Sequence, residues 1–292
     1  MAEDYRNELI ITKRIFNEFE KNDIKYANFK SNQHLAESFM GVSDYDVLVE
    51  QEKKSVVDNI LIRFGCKKFE PIHIGQYPGV ENWLAYDCKT GVIHHLHLHY
   101  QIATGKPQVK DYILPWKDVI LNTAIKDEKH DILITDPNVE IILLIARIVL
   151  KSKALDYLKA CLGKFMISEE LEIEYKFLKE KIDIKKLFEF SNTMFSTRNA
   201  KHIVELLIEH NKVDNQMFRK MAPMIRRELR LYRRMYSLQA NYKSLYYRFV
   251  LKIRRLKKQR MRGFDITKKI GSTGGKIIAF IGVDGSGKST CK

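Results

Sequence analysis

Three stretches carry side chains able to do chemistry. In GVSDYDVLVE, Asp44 and Asp46 stand two residues apart. On a strand that spacing projects both carboxylates from one face, where their oxygens could hold a divalent cation. In HHLHLHY, His95, His97 and His99 share one face of a strand, and Leu96 and Leu98 take the other. Such a row could belong to a cation pocket, could itself be a zinc site at i, i+2 spacing, or could be a half-exposed structural strand. In GVDGSGKST, residues Gly282 to Ser289 fit G-x-x-x-x-G-K-[ST], the Walker A phosphate loop. Glycines there let backbone N–H groups close around phosphate oxygens. Gly282, Gly285, Gly287, Lys288, Ser289 and Thr290 are its candidate ATP-binding residues, with Lys288 reaching the β/γ-phosphates and the Ser289 hydroxyl ligating Mg²⁺.

The elements that must position these groups follow from the apolar pattern. Leu9, Ile10, Ile15, Phe16 and Phe19 recur at helical spacing and predict an opening amphipathic helix. Tyr26–Lys30 reads as a short strand, Gln33–Met40 as a short helix, and Val47 to Val49 as the body of the Asp-x-Asp strand. Asn82–Cys88 and Val92–Tyr100 flank "KTG" and predict a hairpin with Gly91 in its turn. Asp136-Pro137 opens a helix, and NVEIILLIARIVLK is apolar nearly all round, hence a buried one. Further helices are expected over Ser168–Lys181, Asp183–Phe190 and Asn199–His210. GFDITKKIGSTGG reads as a linker, and KIIAFIGV as a central parallel strand covered on both faces.

Composition bounds the class. A chain of 292 residues, 45% hydrophobic and 30% charged, is globular and fills one large or two modest domains. The longest apolar run, Ile141–Ala146, stops at Arg147, far short of the roughly 20 residues of a membrane span. The first residues lack the continuous apolar core of a secretory signal. Four scattered cysteines without a CxxC pair suit reduced thiols and a cytoplasmic location. The net charge of +15 is confined to one segment: Arg219 to Lys269 carries eighteen Lys and Arg against Glu228 and Asp265. Tyrosines and apolar residues interleave with these cations over residues 226–262. That stretch reads as a solvated helical linker docking on a further domain, as an interfacial helix at the inner face of a membrane with anionic lipid, or, less favoured, as a nucleic-acid stripe.

The Asp44-Tyr45-Asp46 strand, preceded by a short strand, a short helix and a glycine-led turn, resembles nucleotidyltransferases of the polymerase-β type. The resemblance implies an α+β domain with a mixed sheet, in which Asp44 and Asp46 hold Mg²⁺ and align a nucleoside triphosphate for attack by a hydroxyl. The family's Gly-Ser or Gly-Gly is here Lys30-Ser31; Ser31 would contact phosphate, and Lys30 would supply charge in place of close backbone. A third carboxylate is expected from a neighbouring strand. HHLHLHY occupies that place and has no acid, so His97 or His99 would serve as ligand or base. With "HLHLHYQ" as second signature, the chain resembles a branch that in bacterial proteins precedes a thymidylate-kinase-like domain and is linked to surface polysaccharide synthesis. GVDGSGKST is similar to the opening of that kinase family. The implied organisation is a nucleotidyltransferase-like domain over 1–135 and an all-α region with the basic segment over 136–262. Over 263–292 come a linker and the first strand and P-loop of an incomplete α/β domain. A strand and a loop cannot transfer phosphoryl groups alone. The expectation is therefore a fragment of a bifunctional transferase lacking most of its C-terminal kinase domain, with nucleotide and an unknown, saccharide-related acceptor as partners. The alternative is an RNA- or membrane-associating module built on a degenerate nucleotidyltransferase fold.

Overall fold

The structure is a computed structural model that describes residues 9–71, 73–260 and 270–271. It is a mixed α/β arrangement in which one twisted sheet carries helices on both faces.

The sheet is assembled from β1 (Tyr26–Asn28), β2 (Tyr45–Val49), β3 (Lys67–Glu70), β4 (Val80–Tyr86) and β5 (Ile93–His99). A small separate hairpin, β6 (Ile102–Thr104) and β7 (Tyr112–Leu114), follows. The pair β8 (Ile125–Lys126) and β9 (Leu133–Ile134), with the short β10 (Ile270–Gly271), completes the main sheet in the order β10-β3-β4-β5-β2-β1-β9-β8. β2 lies antiparallel to β1 and parallel to β5. The expected hairpin is β4–β5, and Gly91 takes φ +72° in its turn. β10 lies in the stretch read as a linker, yet pairs with β3.

Strand alternation sorts the two faces. Tyr45, Val47 and Val49 of β2 and Leu96 and Leu98 of β5 point into one core. That core is closed by α1 (Ile10–Lys21), by α2 (Leu35–Phe39) and by α3 (Lys54–Arg63). α1 contributes Ile15, Phe16 and Phe19, and Phe16 stacks on Tyr26 at 4.9 Å between centroids. Each such fully buried side chain contributes roughly 1.5–3 kcal/mol relative to exposure. Ile10, expected on the same stripe, is exposed instead.

On the opposite face Leu48 packs against Phe29, α4 (Lys117–Asn122) and the helical region. The centre of that region is α5 (Pro137–Lys151), with Asp136 accepting from the Asn138 N–H at its N-terminus. Every residue from Asn138 to Leu150 is buried, including Glu140 and Arg147. Around it stand α6 (Ala154–Cys161), α7 (Glu169–Lys179), α8 (Ile184–Met194), α9 (Thr197–Glu209) and α10 (Asn215–Glu228). α11 (Ser237–Arg260) follows. Beyond Leu48 the same face lines a cleft together with the β6–β7 loop and Leu251 of α11.

Candidate functional site

The register between β2 and β5 builds the site. Parallel pairing sets Tyr45 opposite Leu96, Asp46 opposite His97 and Leu48 opposite His99. Asp46 and the odd-numbered histidines therefore emerge on the same, cleft-side face. His94 points the other way, buried against Tyr45 and hydrogen-bonded through Nδ1 to Thr12 Oγ1 at 2.9 Å. Burial pushes its imidazole down to about 4.

Two groups of potential ligands result: Asp44, His95 and His97, and Asp46, His97 and His99. Asp44 Oδ1 lies 3.1 Å from His95 Nδ1, and its Oδ2 lies 3.9 Å from His97 Nε2. Asp46 Oδ1 lies 3.0 Å from His99 Nε2 and 3.5 Å from His97 Nδ1. Around a tetrahedral ion with bonds of 2.0–2.1 Å, ligand atoms sit about 3.3 Å apart, so both groups are close to a cation-holding size. His97 offers one ring nitrogen to each. The imidazoles suit Mn²⁺ or Zn²⁺ better than Mg²⁺, which prefers oxygen donors and retained water; the two carboxylates alone suit Mg²⁺.

Lys30 reaches the same oxygen, with Nζ 2.9 Å from Asp46 Oδ1. Burial pushes the Asp46 carboxyl up, but the Lys30 charge and hydrogen bonds from His97 and His99 outweigh it and hold the group well below the usual range. His99 is buried, its ring edge-on to Phe29 at 4.7 Å. That burial pushes it down to about 4, so it is neutral at pH 7 and donates to Asp46.

Lys30, Asp46, His97 and His99 line a cleft of about 460 Å³ together with Tyr77, Asn82 and Lys110. Lys110 arrives on the β6–β7 loop, where Gln108 and Lys110 both hold positive φ, 61° and 50°. Ser31, directly after Lys30, does so too at 59°. Left-handed backbone at non-glycine residues is costly and concentrates at functional sites. Burial, with the charges of Lys30 and Arg147, pushes Lys110 down to about 8. Lys151 is pushed to about 7 by burial and by Arg147, Lys110 and Lys30. Lys30, Lys110, Arg147 and Lys151 thus lie near enough to repel one another.

Behind Lys30 the turn is held from the helical region. Glu140 accepts from the Asn32 backbone N–H at 3.2 Å and from its Nδ2 at 2.6 Å. Glu174 accepts from the Ser31 N–H at 3.4 Å and from Arg147 at 2.8 Å. Burial and the Glu174 charge push Glu140 up to about 7.

Among the sequence-derived candidates, Asp44, Asp46, His97, His99 and Lys30 come together. His95, grouped with them on the strand, joins Asp44. Ser31 adjoins the cleft but is not among its lining residues, and its N–H faces Glu174. The P-loop candidates Gly282, Gly285, Gly287, Lys288, Ser289 and Thr290 lie outside the described residues. Sequence reasoning missed Lys110, Arg147, Lys151, Glu140 and Glu174. Glu140 and Arg147 did leave a signal: charges inside a helix apolar all round require buried partners. A second, smaller cleft of about 210 Å³, lined by Lys106, Asp111, Arg226 and Arg233, has neither paired carboxylates nor a histidine, and Arg233 is engaged with Asp111.

Comparison with family models, curated proteins and solved structures gives no match for this chain.

Proposed function

We propose that the chain is a cation-dependent nucleotidyltransferase acting through the β2–β5 cleft. The observation that carries this reading is the in-register pairing of Asp46 with His97, which sets Asp46, His97 and His99 beside Lys30 and Lys110, with Asp44 and His95 adjoining through His97. A divalent cation held by Asp46, His97 and His99, or by Asp44, His95 and His97, would neutralise a triphosphate, and the donor sets favour Mn²⁺ or Zn²⁺ over Mg²⁺. Lys30 and Lys110 bind the phosphates, Lys30 exchanging its contact with Asp46 for one with phosphate. An acceptor hydroxyl forms a bond to the α-phosphorus, pyrophosphate leaves, and the hydroxyl proton passes to an imidazole of the β5 row. The acceptor class, saccharide-related, comes from the sequence resemblance alone. The P-loop at Gly282–Ser289 enters as a second, ATP-binding motif, with no kinase activity proposed.

The test is calorimetric titration of the full chain with a non-hydrolysable nucleoside triphosphate in Mn²⁺. Cation-dependent binding that Asp44→Asn/Asp46→Asn abolishes supports the reading. Equal binding by that variant refutes it.

A second reading, a binding module on a degenerate fold, is favoured by the Lys30–Asp46 ion pair, which occupies the ligand oxygen. It predicts that any triphosphate binding comes from the P-loop and is unchanged in Asp44→Asn/Asp46→Asn.

A further inference from the structure

We infer that α11 is an interfacial helix that lies on an anionic lipid bilayer. The helix packs on the body of the protein by one face only. Ala240 and Ser244 are buried, and Ser244 Oγ donates to the Pro107 carbonyl at 3.3 Å. On the same side Leu251 lines the Asp46 cleft.

The opposite face is apolar and open. Leu238, Tyr242, Leu245, Phe249, Ile253 and Leu256 recur three or four apart, which places them in one stripe. Their exposure runs from 36% at Ile253 to 81% at Leu238. A helix of 24 residues is about 36 Å long, so the stripe is a long continuous surface rather than scattered exposure. Tyr242 and Tyr246 stack beside it at 6.5 Å, each with an apolar ring and a polar tip suited to a membrane interface.

Charge identifies the occupant. Arg248 and Lys252 border the stripe on one edge and Lys243 on the other, all exposed, and Ser237–Arg260 contains no Asp or Glu. A second copy of the chain would set like charges against each other with no acid between them. RNA would satisfy the cations but leave Leu238, Leu245, Ile253 and Leu256 in water. An anionic bilayer satisfies both, burying the stripe at the acyl boundary and pairing the cations with headgroups. No described helix is long and apolar enough to cross a membrane, so α11 lies on the surface. The cleft then stands one helix diameter, about 10 Å, from the lipid.

The experiment is flotation of the full chain with phosphatidylcholine vesicles, with and without about one-third phosphatidylglycerol. A Tyr242→Trp variant serves as a reporter, because the native Trp83 and Trp116 are buried. Binding to the anionic vesicles alone is expected, with a blue shift of the introduced indole. Leu245→Asp/Phe249→Asp, on exposed positions, should lower the affinity at least tenfold with an unchanged thermal melt. Equal flotation by that variant, equal binding to neutral vesicles, or an unmoved emission from the Tyr242→Trp reporter overturns the inference. So does a dimer in solution that the double variant dissolves, or binding to oligouridylate without binding to vesicles.

Discussion

Glu140 offers a direct reading of the charge network behind the cleft. It lies on α5, wholly buried, and burial together with Glu174 raises its carboxyl from 4.5 to about 7. In the window between those values the folded chain holds a proton that the unfolded chain has lost. Folding takes up a proton there, so this group's contribution to stability falls as pH rises from about 4.5 to 7. The full shift corresponds to about 3 kcal/mol. Glu140→Gln keeps the shape and cannot ionise, but it turns one of the two oxygens that accept from Asn32 into an amide NH2, a cost that does not change with pH. Urea unfolding of both chains at pH 5 and pH 8 isolates the effect. His94 and His99, both pushed down to about 4 by burial, add stability as pH rises from 4 to 6.5. They do so equally in both chains and cancel in the difference. The variant should gain about 2–3 kcal/mol on the wild type between the two pH values. A difference constant to within about 0.5 kcal/mol would show that Glu140 is not the buried, proton-holding group described, and its role in holding the Lys30 turn would fall with it.

Three further outcomes are expected. Gly41 holds φ +74°, and an added Cβ would come to 2.5 Å from Val92 Cγ1; Gly41→Ala should cost more in thermal unfolding than Gly65→Ala, where φ is +75° but nothing stands within 4 Å. The Gly65 change should cost about 1–2 kcal/mol from the backbone alone. Asp44 is half exposed, so Asp44→Asn should leave the melting temperature nearly unchanged, whereas Asp46→Asn strips Lys30 of its partner and should cost about 1–3 kcal/mol by urea unfolding. Leu48→Ala, opening a cavity where the sheet meets the helical region, should cost about 2–5 kcal/mol by the same assay.

The chemistry-bearing strands were legible in the sequence because a two-residue period needs no tertiary information. Asp46, and the alternation of His95, His97 and His99 with leucines, fall where that period puts them. So do the β4–β5 turn at Gly91 and the start of α5 at Asp136-Pro137. Asp44 lies one residue before β2 and meets His95 from there. What local pattern could not supply was register. Whether His97 or His99 stands opposite Asp46 depends on how two strands far apart in the chain align, and only the fold decides it. Lys110 was illegible for a related reason. It sits in an irregular loop whose positive φ values break any period. β10 hides in a stretch whose glycines and small polar residues read as linker, because two residues are too few to show a pattern. α11 was legible as basic and amphipathic, but not which apolar positions would stay uncovered.

The central claim is that the β2–β5 face holds a cation, with His97 offering one ring nitrogen to each of two adjoining ligand groups. Titration of the full chain with MnCl₂ and with ZnCl₂, in wild type and His97→Ala, addresses it most directly. Saturable binding is predicted in the wild type and at least a tenfold loss in the variant, with Asp46→Asn behaving alike. Binding that is absent in the wild type, or that His97→Ala leaves intact, would contradict it.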